Sequence, residues 1–218
     1  LDSVWKESTG CFFVTGKKIV PATAPEVRIY QALEKYYGAR RTPRFASLAE
    51  QLFEAAAQSD VALAFEGSSR GVAAIGRRGI GAWRLHVTGE QAHSSGIFRE
   101  SRGYGAIFET ARILDRFRID LPEQYLTYNP SVIVGGTSVA FDPATSSGTA
   151  LGKTNVIPRE AYVTGDIRFL TSEQFEATRA RMEVIVAESL PKTSASIEIE
   201  TEYPSMAPTD GNRQVLAV

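Results

Sequence analysis

The sequence predicts an α+β sandwich over residues 70–203, an antiparallel sheet carrying both helices on one face. Three features predict it. Runs of alternating apolar and polar residues recur through this stretch, the pattern of strands that bury one face. Two longer segments repeat apolar residues at helical spacing instead. Strands and helices also mix without the regular alternation that builds a parallel sheet.

The predicted order is strand, strand, helix, strand, strand, helix, strand. "GVAAIGRRG" (71–79) and "IGAWRLHVTGE" (80–90) are two strands joined around Gly79. In the second, Trp83, Leu85 and Val87 face one way and Arg84, His86 and Thr88 the other, so His86 sits on a polar sheet surface. "GYGAIFETARILDRF" (103–117) is a helix whose stripe of Tyr104, Ile107, Phe108, Ala111 and Leu114 is expected to pack on the sheet. "SVIVGG" (131–136) is the next strand, and the Gly/Ser/Thr-rich residues 138–153 form a loop or hairpin. "EAYVTGDIRFL" (160–170) turns Ala161, Val163, Ile167 and Phe169 inward and Tyr162, Thr164, Asp166 and Arg168 outward. "TSEQFEATRARMEVIVAESL" (171–190) starts at an N-cap, Thr171 or Ser172. It aligns Phe175, Met182, Ile185 or Val186, and Leu190, and Pro191 stops it. "ASIEIETEY" (195–203) closes the set with Ile197 and Ile199 inward and Glu198, Glu200 and Glu202 outward. This is the pattern of a ferredoxin-like fold, a four-stranded antiparallel sheet whose helix-free face is exposed or paired.

Upstream, Leu48, Leu52, Phe53 and Ala56 recur at helical spacing, and "DVALAFEG" (60–67) follows as a short buried strand. A helix feeding a strand is the habit of an α/β layer. Residues 1–45 show no sustained period, and "RIYQALEKYY" (28–37) is their one helix-like segment. The chain opens on Leu1 and closes on "VLAV" (215–218), which leads to the expectation of a piece of a longer polypeptide.

Composition narrows the function classes. With 24 basic and 25 acidic residues and a net charge of −1, the chain lacks the positive footprint of a nucleic-acid binder. An RNA-binding ferredoxin-like sheet would also expose strand aromatics, and Tyr162 is the only one on the polar face of its strand. Small-molecule or protein partners are expected instead. The single cysteine, Cys11, excludes an internal disulfide framework and a cysteine-based zinc cage, but leaves the compartment open between cytoplasm and periplasm. No apolar run approaches the roughly 20 residues of a membrane-spanning helix.

Three short stretches carry candidate chemistry: "AHSSG" (92–96), "KTNVIP" (153–158) and "DIRF" (166–169). Taken singly, His93 reads as a loop histidine, Asn155 as a turn or cap residue, and Arg168 as a partner for Asp166. Taken together they supply an imidazole, an amide and a guanidinium, the groups that grip a carbonyl oxygen and a carboxylate.

In their order along the chain, "DVALAFEG", "GRRGIGAWRLHVTGEQAHSSG", "GYGAIFETARIL", "GKTNVIPREAYVTGDIRF" and "YPSMAPT" resemble the M20 family of metallopeptidases and aminoacylases over residues 46–218. These are the carboxypeptidase G2-like zinc hydrolases. The resemblance implies a two-zinc α/β catalytic domain interrupted by a smaller α+β lid, through which the enzyme forms a homodimer. Residues 70–203 would be that lid, 46–69 a remnant of the catalytic domain, and 204–218 the return toward it, with 1–45 a poorly defined segment. The implied reaction is cleavage of an amide bond next to a free carboxylate, in a peptide or N-acyl amino acid. His93 would reach into the partner's site and polarise the scissile carbonyl. Asn155 and Arg168 would hold the substrate's carbonyl and carboxylate, and Glu66 would be an acidic zinc ligand.

Departures from the family pattern carry equal weight. The family's His-x-Asp pair, its Asp before a Lys-Gly-Gly turn, its adjacent Glu-Glu and its late His are missing, and only Glu66 of the metal set is present. This chain alone is therefore not expected to assemble a two-zinc site or to hydrolyse anything. The acidic pair belongs where "GARRTP" (38–43) stands, and a one-base displacement through suitable codons there would read Gly-Glu-Glu-Asp-Ala. The competing expectation is a non-catalytic dimerisation module whose edge strand pairs with its two-fold mate.

Overall fold

The computed structural model describes residues 11–15, 18–22, 58, 61–64 and 72–217. Contacts separate two compact units, Leu1–Ala73 with Ala217–Val218, and Ala74–Leu216. In the first, β1 (Cys11–Thr15), β2 (Lys18–Ala22) and β3 (Val61–Ala64) form an antiparallel sheet in the order β2-β1-β3. The third is the strand expected within "DVALAFEG". The first two were illegible because they are short, and Pro21 breaks the second's alternating pattern. The helix-like segments at 28–37 and 46–57, and Glu66, lie outside the described residues.

The second unit has the ferredoxin-like order. β4 (Gly79–Gly89), α1 (Gly105–Asp120), β5 (Thr127–Gly136), β8 (Glu160–Phe169), α2 (Ser172–Ala187) and β9 (Thr193–Tyr203) form the sandwich, with a hairpin of β6 (Ser138–Asp142) and β7 (Ser147–Leu151) between β5 and β8. The sheet is antiparallel throughout, in the order β5-β8-β4-β9. One predicted strand is absent. Residues 72–78 contribute only an isolated bridge between Arg77 and Met206, because β8 and β9 already occupy both edges of β4. A short C-terminal helix, α3 (Asp210–Leu216), is tied to this unit by Asn212, whose side chain donates to the carbonyls of Ile75 and Ala207.

Alternation along β4 and β8 is as predicted. Trp83, Leu85, Val87, Ala161, Val163, Ile167 and Phe169 are buried against the helices. Trp83 also crosses Phe117 edge to face, with ring centres 6.0 Å apart. That packing needs Gly165, since a Cβ there would lie 2.1 Å from the Asn129 carbonyl and 2.5 Å from the indole. At the start of α1, Gly105 takes φ +76°, and a Cβ would meet Ile157 at 2.6 Å. Helix α2 follows its predicted stripe, with Phe175, Met182, Ile185 and Val186 buried and the Thr171 hydroxyl accepting from Gln174 N–H at 3.1 Å.

Helix α1 does not follow its predicted stripe. Its buried side chains are Ala106, Glu109, Thr110, Ile113 and Phe117, while Ile107 and Phe108 are each 47% exposed. Two polar residues sit on the inner face because each finds a partner there. Thr110 donates to the Ala106 carbonyl at 2.7 Å, and Glu109 is held by Arg112. Of the apolar flank, Ile107 and Ala111 are left exposed at the sheet edge, while Leu114 is partly buried against the core.

The hairpin covers part of the helix-free face, which was expected to be exposed or paired. Phe141 stacks on Tyr162 with ring centres 5.2 Å apart, and Tyr162 stacks on His86 at 4.2 Å. At its tip the Asp142 carboxylate accepts from Thr145 Oγ1 (2.7 Å) and Ala144 N–H (2.9 Å), and these bonds hold its carboxyl below the usual range. A depressed folded-state value means that the turn is stabilised above the ordinary Asp value of about 3.9, and loses that stabilisation as pH falls through the lower folded value. The nuclear Overhauser contact between Phe141 and Tyr162 should therefore persist at neutral pH and weaken only below about pH 4, while Asp142→Asn should remove this dependence. A wild-type contact unchanged down to about pH 2 would show that Asp142 does not hold the turn.

Candidate functional site

The loops that carry His93 and Asn155 run side by side. β4 ends at Gly89, and the chain then pairs with the segment before β8: Ser94 N–H donates to the Asn155 carbonyl (2.9 Å) and Ile157 N–H to the Ala92 carbonyl (2.8 Å). His93 and Val156 form an isolated bridge. Both His93 and Asn155 are exposed, at the end of the sheet where α1 begins.

The imidazole is held from one side. His93 caps the 3-10 turn Ser94–Gly96, its Nδ1 lying 3.2 Å from Ser95 N–H and 2.9 Å from Ser95 Oγ. Its other ring nitrogen is turned away from these contacts. Ser95 carries only a faint signal in the sequence, a serine two residues after a histidine in a strand-to-helix turn.

Arg168 is not with them. It lies at the far end of β8, in register with Ile80 and Thr127, and its Nε sits 3.1 Å from Asp166 Oδ2. The ion pair with Asp166 is thus present, and the guanidinium remains about half exposed, so it can also meet a carboxylate. Eight steps of about 3.4 Å along β8 separate Glu160, beside the Asn155 loop, from Arg168, roughly 27 Å in all. One small substrate cannot touch both ends.

Metal chemistry finds no fit among the described residues. No group of three or more His, Cys, Asp or Glu side chains is placed there to hold an ion. His86 is engaged by the Tyr162 ring on the helix-free face, where a cleft of about 540 Å³ runs under the hairpin between Phe141, Pro143, His86 and Ser196. Across β4, Arg84 binds Glu198 (3.4 Å) and Glu200 (3.1 Å), pairing strands that carry opposite charge.

β5 is one of the two edge strands of the sheet, with β9 the other, and Ile133 on β5 is 59% exposed. Ile133 lies opposite Val163, and so on the helix-bearing side, two residues before Gly135, against which Ile107 packs. A groove of about 630 Å³ continues this apolar strip past Leu114 to Phe117, Leu126, Tyr128 and Pro130. Strand edges with exposed apolar flanks are ready templates for another chain.

A family model described as the peptidase dimerisation domain, M20_dimer, matches residues 75–194. The chain belongs to this family of M20 peptidase dimerisation domains. Among solved structures it is similar to the aminopeptidase PepT from Bacillus cereus, with 20% identity, 65% of this chain and 34% of that one covered, and a TM-score of 0.48. A tripeptidase from Staphylococcus aureus gives 18%, 62% and 32%, with a TM-score of 0.46. An aminobenzoyl-glutamate utilization protein from Klebsiella pneumoniae gives 18%, 62% and 31%, with a TM-score of 0.43. The chain spans about a third of the length of these structures. No curated protein matches it. Among the described residues, no helix is long and apolar enough to cross a membrane.

Proposed function

We propose that this chain carries the lid of an M20-type zinc hydrolase that cleaves an amide bond next to a free carboxylate, and that it works as a homodimer joined through β5. The separation of the His93–Asn155 pair from Arg168 along β8 carries this reading. If two β5 edges pair antiparallel about a two-fold axis, the His93 end of one sheet comes beside the Arg168 end of its mate. Three strand spacings of about 4.8 Å then separate the two copies of β8, roughly 14 Å, a span that an N-acyl amino acid and the side chains can bridge. Arg168 would take the substrate's carboxylate through a charge-assisted fork, and His93 and Asn155 of the other copy would donate to the carbonyl oxygen. Glu66 is the one zinc ligand proposed from this chain. In this reading residues 70–203 are the lid, flanked at 46–69 and 204–218 by catalytic-domain sequence.

The test is subunit mixing in the polypeptide that carries the complete hydrolase. Arg168→Ala should raise KM by about 10- to 100-fold and His93→Ala should lower kcat by about 100-fold. Each dimer is then crippled, but mixing the two variants should restore about a quarter of wild-type activity, because half of the dimers are mixed and one of their two sites is intact. No recovery on mixing would overturn the shared site. A second reading, a dimerisation module without chemistry of its own, is favoured by the same β5 edge. A stable dimer that binds no zinc and hydrolyses no N-acyl amino acid would select it.

A further inference from the structure

Resting on that reading of His93, we propose that Ser95 is a positioning residue that fixes the His93 ring as its Nε2–H tautomer, so that a neutral imidazole presents an N–H donor to the substrate oxygen. The argument is one of donors and acceptors. Ser95 main-chain N–H points at His93 Nδ1 at 3.2 Å, and an amide N–H can only donate. Nδ1 must therefore carry its lone pair, and in the neutral ring the proton then resides on Nε2. With Nδ1 an acceptor, the Ser95 hydroxyl at 2.9 Å from the same atom must be a donor too. Two donors from one residue converge on one side of the ring. The bridge between His93 and Val156 and the bond from Ser94 N–H to the Asn155 carbonyl hold the main chain on either side. The result is a ring whose free edge is a hydrogen-bond donor, matched to a carbonyl oxygen that gains negative charge, and mismatched to a group that itself needs an acceptor.

The chain has only two histidines, so its ring nitrogens can be read directly. Long-range proton–nitrogen NMR on the uniformly labelled chain should show His93 Nδ1 as a bare acceptor and Nε2 as protonated at neutral to mildly basic pH. Both shifts should lie further from the tautomer average than in the same chain unfolded in urea. Ser95→Ala keeps the main-chain donor and loses the hydroxyl, so its shifts should move part of the way back. Ser95→Thr restores the hydroxyl and should restore the shifts. In the complete hydrolase, Ser95→Ala should lower kcat about three- to tenfold with KM nearly unchanged, and Ser95→Thr should rescue it. Folded-state shifts equal to those of the unfolded chain, or protonation at Nδ1, would overturn the inference even if subunit mixing succeeds. A fixed Nε2–H tautomer together with failed mixing would leave Ser95 orienting His93 and discard the shared site instead.

Discussion

Replacing Arg112 with alanine is expected to cost about 3 kcal/mol of folding stability, a large share of the roughly 5–15 kcal/mol that holds a domain of this kind together. Glu109 is fully buried, and Arg112 grips it through Nη2 at 2.6 Å and Nε at 3.1 Å. The same guanidinium donates to the main-chain carbonyls of Ile185 and Glu188, where α2 runs out of internal partners. Leu190 N–H adds a 3.0 Å bond to the buried carboxylate. Removing the arginine strands a charge in the core and frees the end of α2 at once. Urea unfolding at neutral pH should show a lower midpoint with an unchanged slope. Arg112→Lys should recover little, since a single ammonium cannot serve two carboxylate oxygens and two carbonyls together. The double change Glu109→Leu with Arg112→Met should recover most of the loss, because the buried charge goes with its partner. An Arg112→Ala midpoint equal to wild type would show that the pair is solvated rather than structural.

The second large effect is expected at the sheet edge. Ile133→Lys should leave the fold intact, since the side chain is already 59% exposed, and should turn the proposed dimer into a monomer. Lysine on an edge strand is a natural block to strand addition, and in a two-fold interface each substitution is met twice. Two losses of about 2 kcal/mol weaken association by about a thousandfold. Sedimentation equilibrium over a concentration series checks this, with circular dichroism as the control for folding. Ile107→Asp should behave in the same way from the helix side of the patch. A dimer of unchanged affinity in both variants would place the interface elsewhere and remove the basis for the shared site.

Much of this fold is legible in the residue pattern. The strands at 80–90, 160–170 and 195–203 were legible because a strand with one buried face must alternate, and each of these does, whereas 131–136 was legible as a short β-branched run closed by Gly-Gly. Helix α2 was legible for the same kind of reason, with a cap at Thr171 and one apolar stripe. For α1 the periodicity was equally clear but its direction was not. Pattern alone treats Glu109 as a surface residue and Ile107 and Phe108 as core, and only the placement of Arg112 against α2 reverses that. The stripe is a real apolar surface that lies at the sheet edge, not over the sheet. At 71–79 the predicted strand finds no vacant edge on β4 to receive it.

By itself the sequence determined the antiparallel α+β class, the capped second helix, the near-even balance of charge, and the residue types that could hold a carbonyl and a carboxylate. All of these follow from local chemistry and from periods of two and 3.6 residues. Only the tertiary structure decided which face of α1 is buried, that the 138–151 hairpin folds back to stack Phe141 on Tyr162, and that the loops carrying His93 and Asn155 run side by side while Arg168 stays a strand's length away. Those outcomes depend on which strand edge is free and which charge finds a partner from another element, and neither is written in the spacing of residues along the chain.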